Sequence, residues 1–90
     1  RLRVSNVSTR RNQFSDVVVT GEVTLESLSA GSTASQVQVI AIGRDAQGAM
    51  VFGFEGYVSL PAEGDTVPFG VTSFDDVPEF ETVEVYAYTW

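Results

Sequence analysis

The sequence predicts an all-β fold, an antiparallel sandwich of about six to seven strands, from three observations. Apolar and polar residues alternate with a two-residue period in segment after segment. Turns rich in Gly, Pro, Asp and Ser separate these segments at intervals of about 10 to 15 residues. No stretch longer than a few residues carries the period of an amphipathic helix. The apolar fraction of 43 %, with Val prominent and Phe and Tyr supplying most of the aromatics, suits pleated, half-buried strands. Ninety residues make one domain, residues 1–90, with a single modest core. A chain of this size buries roughly 60 to 65 % of its unfolded surface, which favours recognition at a surface over a deep ligand cavity.

The elements follow in order. A short strand is predicted over residues 2–7, then a polar segment over 8–15 around Arg10, Arg11 and Asn12. The second strand, 16–26, sets Val17, Val19, Gly21, Val23 and Leu25 on a core face against Val18, Thr20, Glu22, Thr24 and Glu26. Residues 27–35, rich in Ser, Ala, Gly and Thr, form a loop that cannot pack a core. The third strand, 36–44, points Val37, Val39, Ala41 and Gly43 one way and Gln38, Ile40, Ile42 and Arg44 the other. Asp45-Ala46-Gln47-Gly48 is a hairpin turn in which Gly48 takes a positive φ. In the fourth strand, 49–58, Gly53 and Gly56 suggest a bulge, which leaves the facing of Phe52 and Phe54 open. A turn at 61–65 leads to a fifth strand over 66–73. The loop 74–80 contains Pro78, and the last strand, 82–89, opposes Val83, Val85 and Ala87 to Glu84, Tyr86 and Tyr88.

Twelve acidic residues against five arginines, with no lysine or histidine, give a formal charge of −7. Nucleic acid and anionic lipid both need clustered cations, so the charge argues against either as a partner. Arg1, Arg3, Arg10 and Arg11 lie in the first eleven residues and only Arg44 beyond them. That asymmetry is expected to draw the first strand onto the acidic carboxy-terminal segment of Glu79, Glu81 and Glu84, or to steer head-to-tail contact between copies. Without cysteine, no disulfide frames the fold and the thiols indicate no compartment. No apolar run approaches the roughly 18 residues that span a bilayer, and no membrane insertion is expected. The opening Arg-Leu-Arg-Val lacks the pattern of a signal peptide, and a start at Arg1 is what a processed product or an excised domain would show.

Strands joined by short turns with no intervening helix read as an immunoglobulin-like antiparallel sandwich. From about residue 16 to residue 87 the chain also resembles the bacterial and archaeal cell-surface immunoglobulin-like domains of the FxLYD type. The resemblance rests on the order of Val19-Thr20-Gly21-Glu22-Val23, Val37-Gln38-Val39, Asp45-Ala46-Gln47-Gly48, and Leu60-Pro61-Ala62-Glu63-Gly64-Asp65 before Pro68-Phe69. In the signature itself Asp45 matches, whereas Ala41, Gly43 and Arg44 stand where the family shows Phe, Leu and Tyr. The resemblance implies an extracellular or cell-surface location.

Catalysis finds no support in the residues, and no cofactor is implied. Without His or Cys, acid and base roles fall to Asp, Glu or Tyr, none of them in a recognisable motif. Asp75, Asp76, Glu79 and Glu81 concentrate oxygen ligands near the last loop, with Glu63 and Asp65 as further candidates. Calcium needs six to eight converging oxygens, and no EF-hand spacing is present, so a solvated acidic loop is favoured. Asn6-Val7-Ser8 matches a glycosylation sequon, a pattern that arises often by chance. If the third and last strands share a sheet, Ile40, Ile42, Tyr86 and Tyr88 form an apolar and aromatic patch on its outward side, the kind of surface where association energy concentrates. The expected function is therefore a non-enzymatic adhesion or assembly module that binds a protein partner or copies of itself. Two alternatives are carbohydrate binding on an aromatic platform of Tyr86, Tyr88 and Trp90, and an engineered binding scaffold. The second is motivated by apolar Leu25, Leu28 and Phe52 near predicted loops.

Overall fold

The two-residue alternation builds six strands, β1 (Leu2–Arg11), β2 (Val17–Leu25), β3 (Gln36–Arg44), β4 (Met50–Ser59), β5 (Thr66–Thr72) and β6 (Thr82–Thr89), in a computed structural model that describes residues 1–13, 16–73 and 77–90. They form two antiparallel three-stranded sheets, ordered β1-β2-β5 and β4-β3-β6. β1 lies against β6 and β5 against β4, so the sheets face each other. No helix among the described residues is long and apolar enough to cross a membrane.

The central strands supply the fully buried side chains. Val17, Val19 and Val23 of β2 meet Val37, Val39 and Ala41 of β3, all fully buried, with Phe69 and Val71 of β5 beside them, and Leu25 is buried at the end of β2. Each buried valine or leucine contributes about 1.5 to 3 kcal/mol relative to leaving it in water. Leu2, Val4, Phe52, Phe54, Val58, Val83, Val85 and Ala87, from the outer strands β1, β4 and β6, close the core at its margins and remain partly exposed. The predicted core faces of the second, third and last strands are thus those observed.

Two glycines set how closely the inner faces pack. Gly21 is paired in register with Phe69, and a β-carbon there would stand 2.6 Å from the ring and 3.1 Å from the Ser5 carbonyl oxygen. Gly43 is likewise paired with Phe52, whose ring fills the space a β-carbon would need. In each sheet a phenylalanine therefore lies across its glycine neighbour. Phe52 also stacks on Phe54 at 5.2 Å between centroids and receives the edge of Phe80 at 5.1 Å.

Three expectations change. The first strand runs on through Arg11, because an edge strand with an exposed face needs no apolar alternation; its register shifts between Ser5 and Ser8, where Asn6 has φ 54°. The bulge in the fourth strand lies where Met50 and Val51 oppose Arg44, not at Gly53 or Gly56, and this turns Phe52 and Phe54 inward. The arginines also find other partners than those expected. Arg1 and Arg3 approach Glu26 at 3.3 and 3.6 Å, Arg44 pairs with Glu84, and Arg11 donates to the carbonyls of Val77 and Pro78 at 3.0 and 3.3 Å. These contacts are local and exposed, so each contributes little to stability.

The packing of Phe69 on Gly21 yields a matched prediction. Gly21→Ala forces a buried ring aside and is expected to cost about 1 to 3 kcal/mol. A β-carbon at Gly53 would meet only the Ala41 carbonyl oxygen, at 3.9 Å. Gly53→Ala should accordingly be neutral or stabilise by up to about 1 kcal/mol. Urea denaturation of the two variants separates these outcomes.

Candidate functional site

β3 is the middle strand of its sheet, and its even-numbered residues turn away from the core. The register sets Ile40 between Glu55 and Tyr86, Ile42 between Gly53 and Glu84, and Gln38 between Tyr57 and Tyr88. Ile40, Ile42, Tyr86 and Tyr88 therefore share the outward face. Ile40 and Tyr86 are direct cross-strand neighbours, whereas Ile42 and Tyr88 stand diagonally from Tyr86 and Ile40, within reach of large side chains. The isoleucines are half-buried; Tyr86 is 40 % and Tyr88 51 % exposed.

The patch extends further than the four residues expected of it. Tyr57, 45 % exposed, lies on the same face from β4, and its ring meets that of Trp90 edge-on at 5.9 Å between centroids. The Trp90 backbone N–H donates to the Gln36 carbonyl at 2.8 Å, which holds the residue at the end of β6. Tyr57 is legible only once the bulge before it is placed, because that bulge sets the parity of all of β4. Gly53, lacking a side chain, leaves a shallow depression bordered by Ile40, Phe54 and Glu55.

A polar frame surrounds these apolar groups. Gln38 Nε2 donates to Glu55 Oε2 at 2.5 Å and to the Tyr57 hydroxyl at 3.3 Å. Glu84 accepts from Arg44 Nε on one oxygen and from the Tyr86 hydroxyl on the other. Arg44 in turn donates to the Gly48 carbonyl at 3.1 Å, tying this network to the β3–β4 turn. Tyr86 and Arg44 hold the Glu84 carboxyl below its usual range, and the bond to Glu84 pushes the Tyr86 phenol and the Arg44 guanidinium up. These directions hold each of the three groups in its usual charge state at neutral pH.

The remaining candidates are dispersed. Glu79 and Glu81 are exposed beside the turn of Asp45, Ala46 and Gln47, whereas Asp75 and Asp76 lie outside the described residues. Glu63 accepts from the Leu28 amide at 3.2 Å at the opposite pole. Among the described residues no three or more potential ligands gather for a metal ion. The sequon residue Asn6 donates through its side-chain nitrogen to Glu22. Leu25 and Phe52 belong to the core and Leu28 is half-buried, so they form no apolar loop surface. No family model, curated protein or solved structure matches the chain at a significant level.

The network around Glu84 has a pH signature. A lowered carboxyl pKa contributes stability above the ordinary value of 4.5 that is lost as pH falls through the lowered one. A raised phenol pKa contributes below 10.0 and is lost as pH rises through the raised one. Tyr86→Phe should therefore bring the Glu84 carboxyl back up toward 4.5 in a carbon-13 titration. An unchanged Glu84 titration would remove Tyr86 as its principal partner.

Proposed function

We propose that this chain is a non-enzymatic adhesion or assembly module of immunoglobulin-like topology, displayed at a cell surface or secreted, whose binding surface is the outward face of β4-β3-β6. The observation that carries the reading is the gathering of Ile40, Ile42, Tyr57, Tyr86, Tyr88 and Trp90 on that one face. Aromatic and aliphatic side chains inside a polar border are what stable contacts bury at their centres. Apolar area returns about 25 cal/mol per Å², and ordering costs consume much of it, so a few well-placed rings decide the affinity. The pairing of β3 with β6 and of β2 with β5, with β1 and β4 at the margins, supports the immunoglobulin-like reading. The cell-surface placement rests on the sequence resemblance alone.

Carbohydrate binding is the second reading, favoured by the exposed rings of Tyr57, Tyr88 and Trp90 beside the amide of Gln38 and the carboxylate of Glu55. Titration calorimetry with soluble polysaccharides separates the two: glycan binding gives saturable heat without a change in protein mass, and assembly gives the reverse.

Ile42→Lys tests the surface itself. The side chain points outward, so a lysine leaves the core intact, whereas a buried contact must desolvate the new charge. The expected outcome is an unchanged melting temperature with association weakened tenfold or more, measured by light scattering across a concentration series. Undiminished association by a normally folded variant would remove this face as the contact.

A further inference from the structure

Both sheets are open, and their four end strands differ in how they are protected. An unpaired edge is a template for another strand, and proteins blunt such edges with proline, bulges, glycines or charge. β1 carries Arg1, Arg3, Arg10 and Arg11 along or beside it, and its register breaks at the positive-φ Asn6. In β5 the bonds of Ser73 to Val17 and of Leu25 to Asp65 show that odd-numbered residues bond β2, so Pro68 faces the free edge, where it offers no N–H. β4 has the Met50–Val51 bulge, Gly53, Gly56 and Glu55. β6 has none of these features. Its eight residues, Thr-Val-Glu-Val-Tyr-Ala-Tyr-Thr, pair with β3 without a break, and its one charge, Glu84, is held by Arg44 and Tyr86.

Which groups that edge offers follows from the pairing. Gln36 and Trp90 exchange backbone hydrogen bonds, Gln36 N to Trp90 O at 3.3 Å and Trp90 N to Gln36 O at 2.8 Å. By the alternation of an antiparallel ladder, the even-numbered residues of β6 bond β3, and Val83, Val85, Ala87 and Thr89 direct their N–H and C=O groups away from it. Among the described residues no strand hydrogen-bonds that edge, although β1 of the other sheet lies against β6, with Arg1 and Leu2 beside Ala87, Tyr88 and Thr89.

We propose that this edge of β6 pairs antiparallel with β6 of a second copy, joining two sheets into one of six strands. The inference rests on the reading of the chain as an assembly module and names its partner. The strand is self-complementary in one register, with Tyr86 opposite Tyr86 of the second copy, Val85 opposite Ala87, Val83 opposite Thr89 and Glu84 opposite Tyr88. Odd-numbered pairs exchange the outward backbone bonds, and valines and Ala87 stay on the core side. The two Glu84 carboxylates then stand four residues apart along the strands, about 13 Å, beyond the roughly 8 Å screening length of physiological salt. The other register that preserves facing near the strand centre, Glu84 opposite Tyr86, would bring them to about 7 Å. Each copy carries a charge of −7, so contact between copies strengthens as salt screens the long-range repulsion.

The chain has no cysteine, which makes single-cysteine crosslinking direct. Tyr86 would form a non-hydrogen-bonded pair with its own copy, with Cα atoms about 4.5 Å apart, inside the range a disulfide spans. Tyr86→Cys, oxidised at 0.15 M salt or above, is expected to give a disulfide-linked dimer on a non-reducing gel, and Tyr88→Cys little or none. A monomer from Tyr86→Cys, or equal crosslinking at both positions, overturns the proposal. Val85→Pro removes an outward N–H while sparing the bonds to β3, and it also removes a half-buried side chain; where circular dichroism shows the variant folded, association should weaken tenfold or more. Undiminished association by that folded variant also overturns it. Ile42 lies on β3, away from this edge, so loss of association in Ile42→Lys without a Tyr86→Cys dimer would leave the face as the contact and reject the edge.

Discussion

The fold depends on two places where a phenylalanine ring occupies the room of a missing β-carbon. Phe69 over Gly21 and Phe52 over Gly43 stand one in each sheet, each a cross-strand pair on the inner face. The valines that make up most of the core are too small to fill the space between sheets by themselves. Large rings fill it, but only if the strand opposite yields space, and glycine is the residue that does so. Glycine normally weakens a strand by entropy and by lack of side-chain contact; a ring laid across it restores the contact. β3 keeps an unbroken register with β6, and its outward residues stay in step with those of β6.

That regularity links the core to the proposed surface. Along β3, Val37, Val39 and Ala41 are buried while Gln38, Ile40 and Ile42 are half-exposed, so neighbouring residues serve the core and the outer face in turn. The outer face carries both apolar bodies and fixed polar tips. Glu84 is bound from two sides, and Gln38 bridges Glu55 and Tyr57. A surface held in this way loses less side-chain freedom when a partner covers it, which is what preorganisation contributes to affinity. The same unbroken register runs through β6, so the proposed face and the proposed edge lie on one flank.

Strands with a buried inner face were legible from alternation alone. The third and last strands have the expected bounds, and the second differs by a residue at each end. Legibility failed where an edge strand relaxes the pattern. The arginines and serines that end β1 read as a polar connection because nothing covers their outer side. In β4 the two glycines looked like the irregularity, yet the extra residue sits before them, and its place decides whether Phe52 and Phe54 or their neighbours enter the core. A two-residue period cannot locate a bulge, since a shift of one residue reverses every side chain after it. Tyr57 was hidden for that reason. The charge pairing was also not legible, because it depends on which strands adjoin: Glu26 directly follows β2, the strand paired with β1, and Arg44 sits across from the strand that carries Glu84.

The central claim is that successive residues of β3 face opposite ways, one set building the core and the other the recognition surface. The most direct measurement is the thermal stability of two adjacent substitutions, Val39→Lys and Ile40→Lys. Val39 is fully buried, and an unpaired ammonium there has no partner or solvent, so the cooperative transition should be lost. Ile40 adjoins the Glu55 carboxylate on the outward face, and its variant should melt within a few degrees of the parent. Two cooperatively folded variants of equal stability, or an Ile40→Lys chain that unfolds while Val39→Lys survives, would contradict the account.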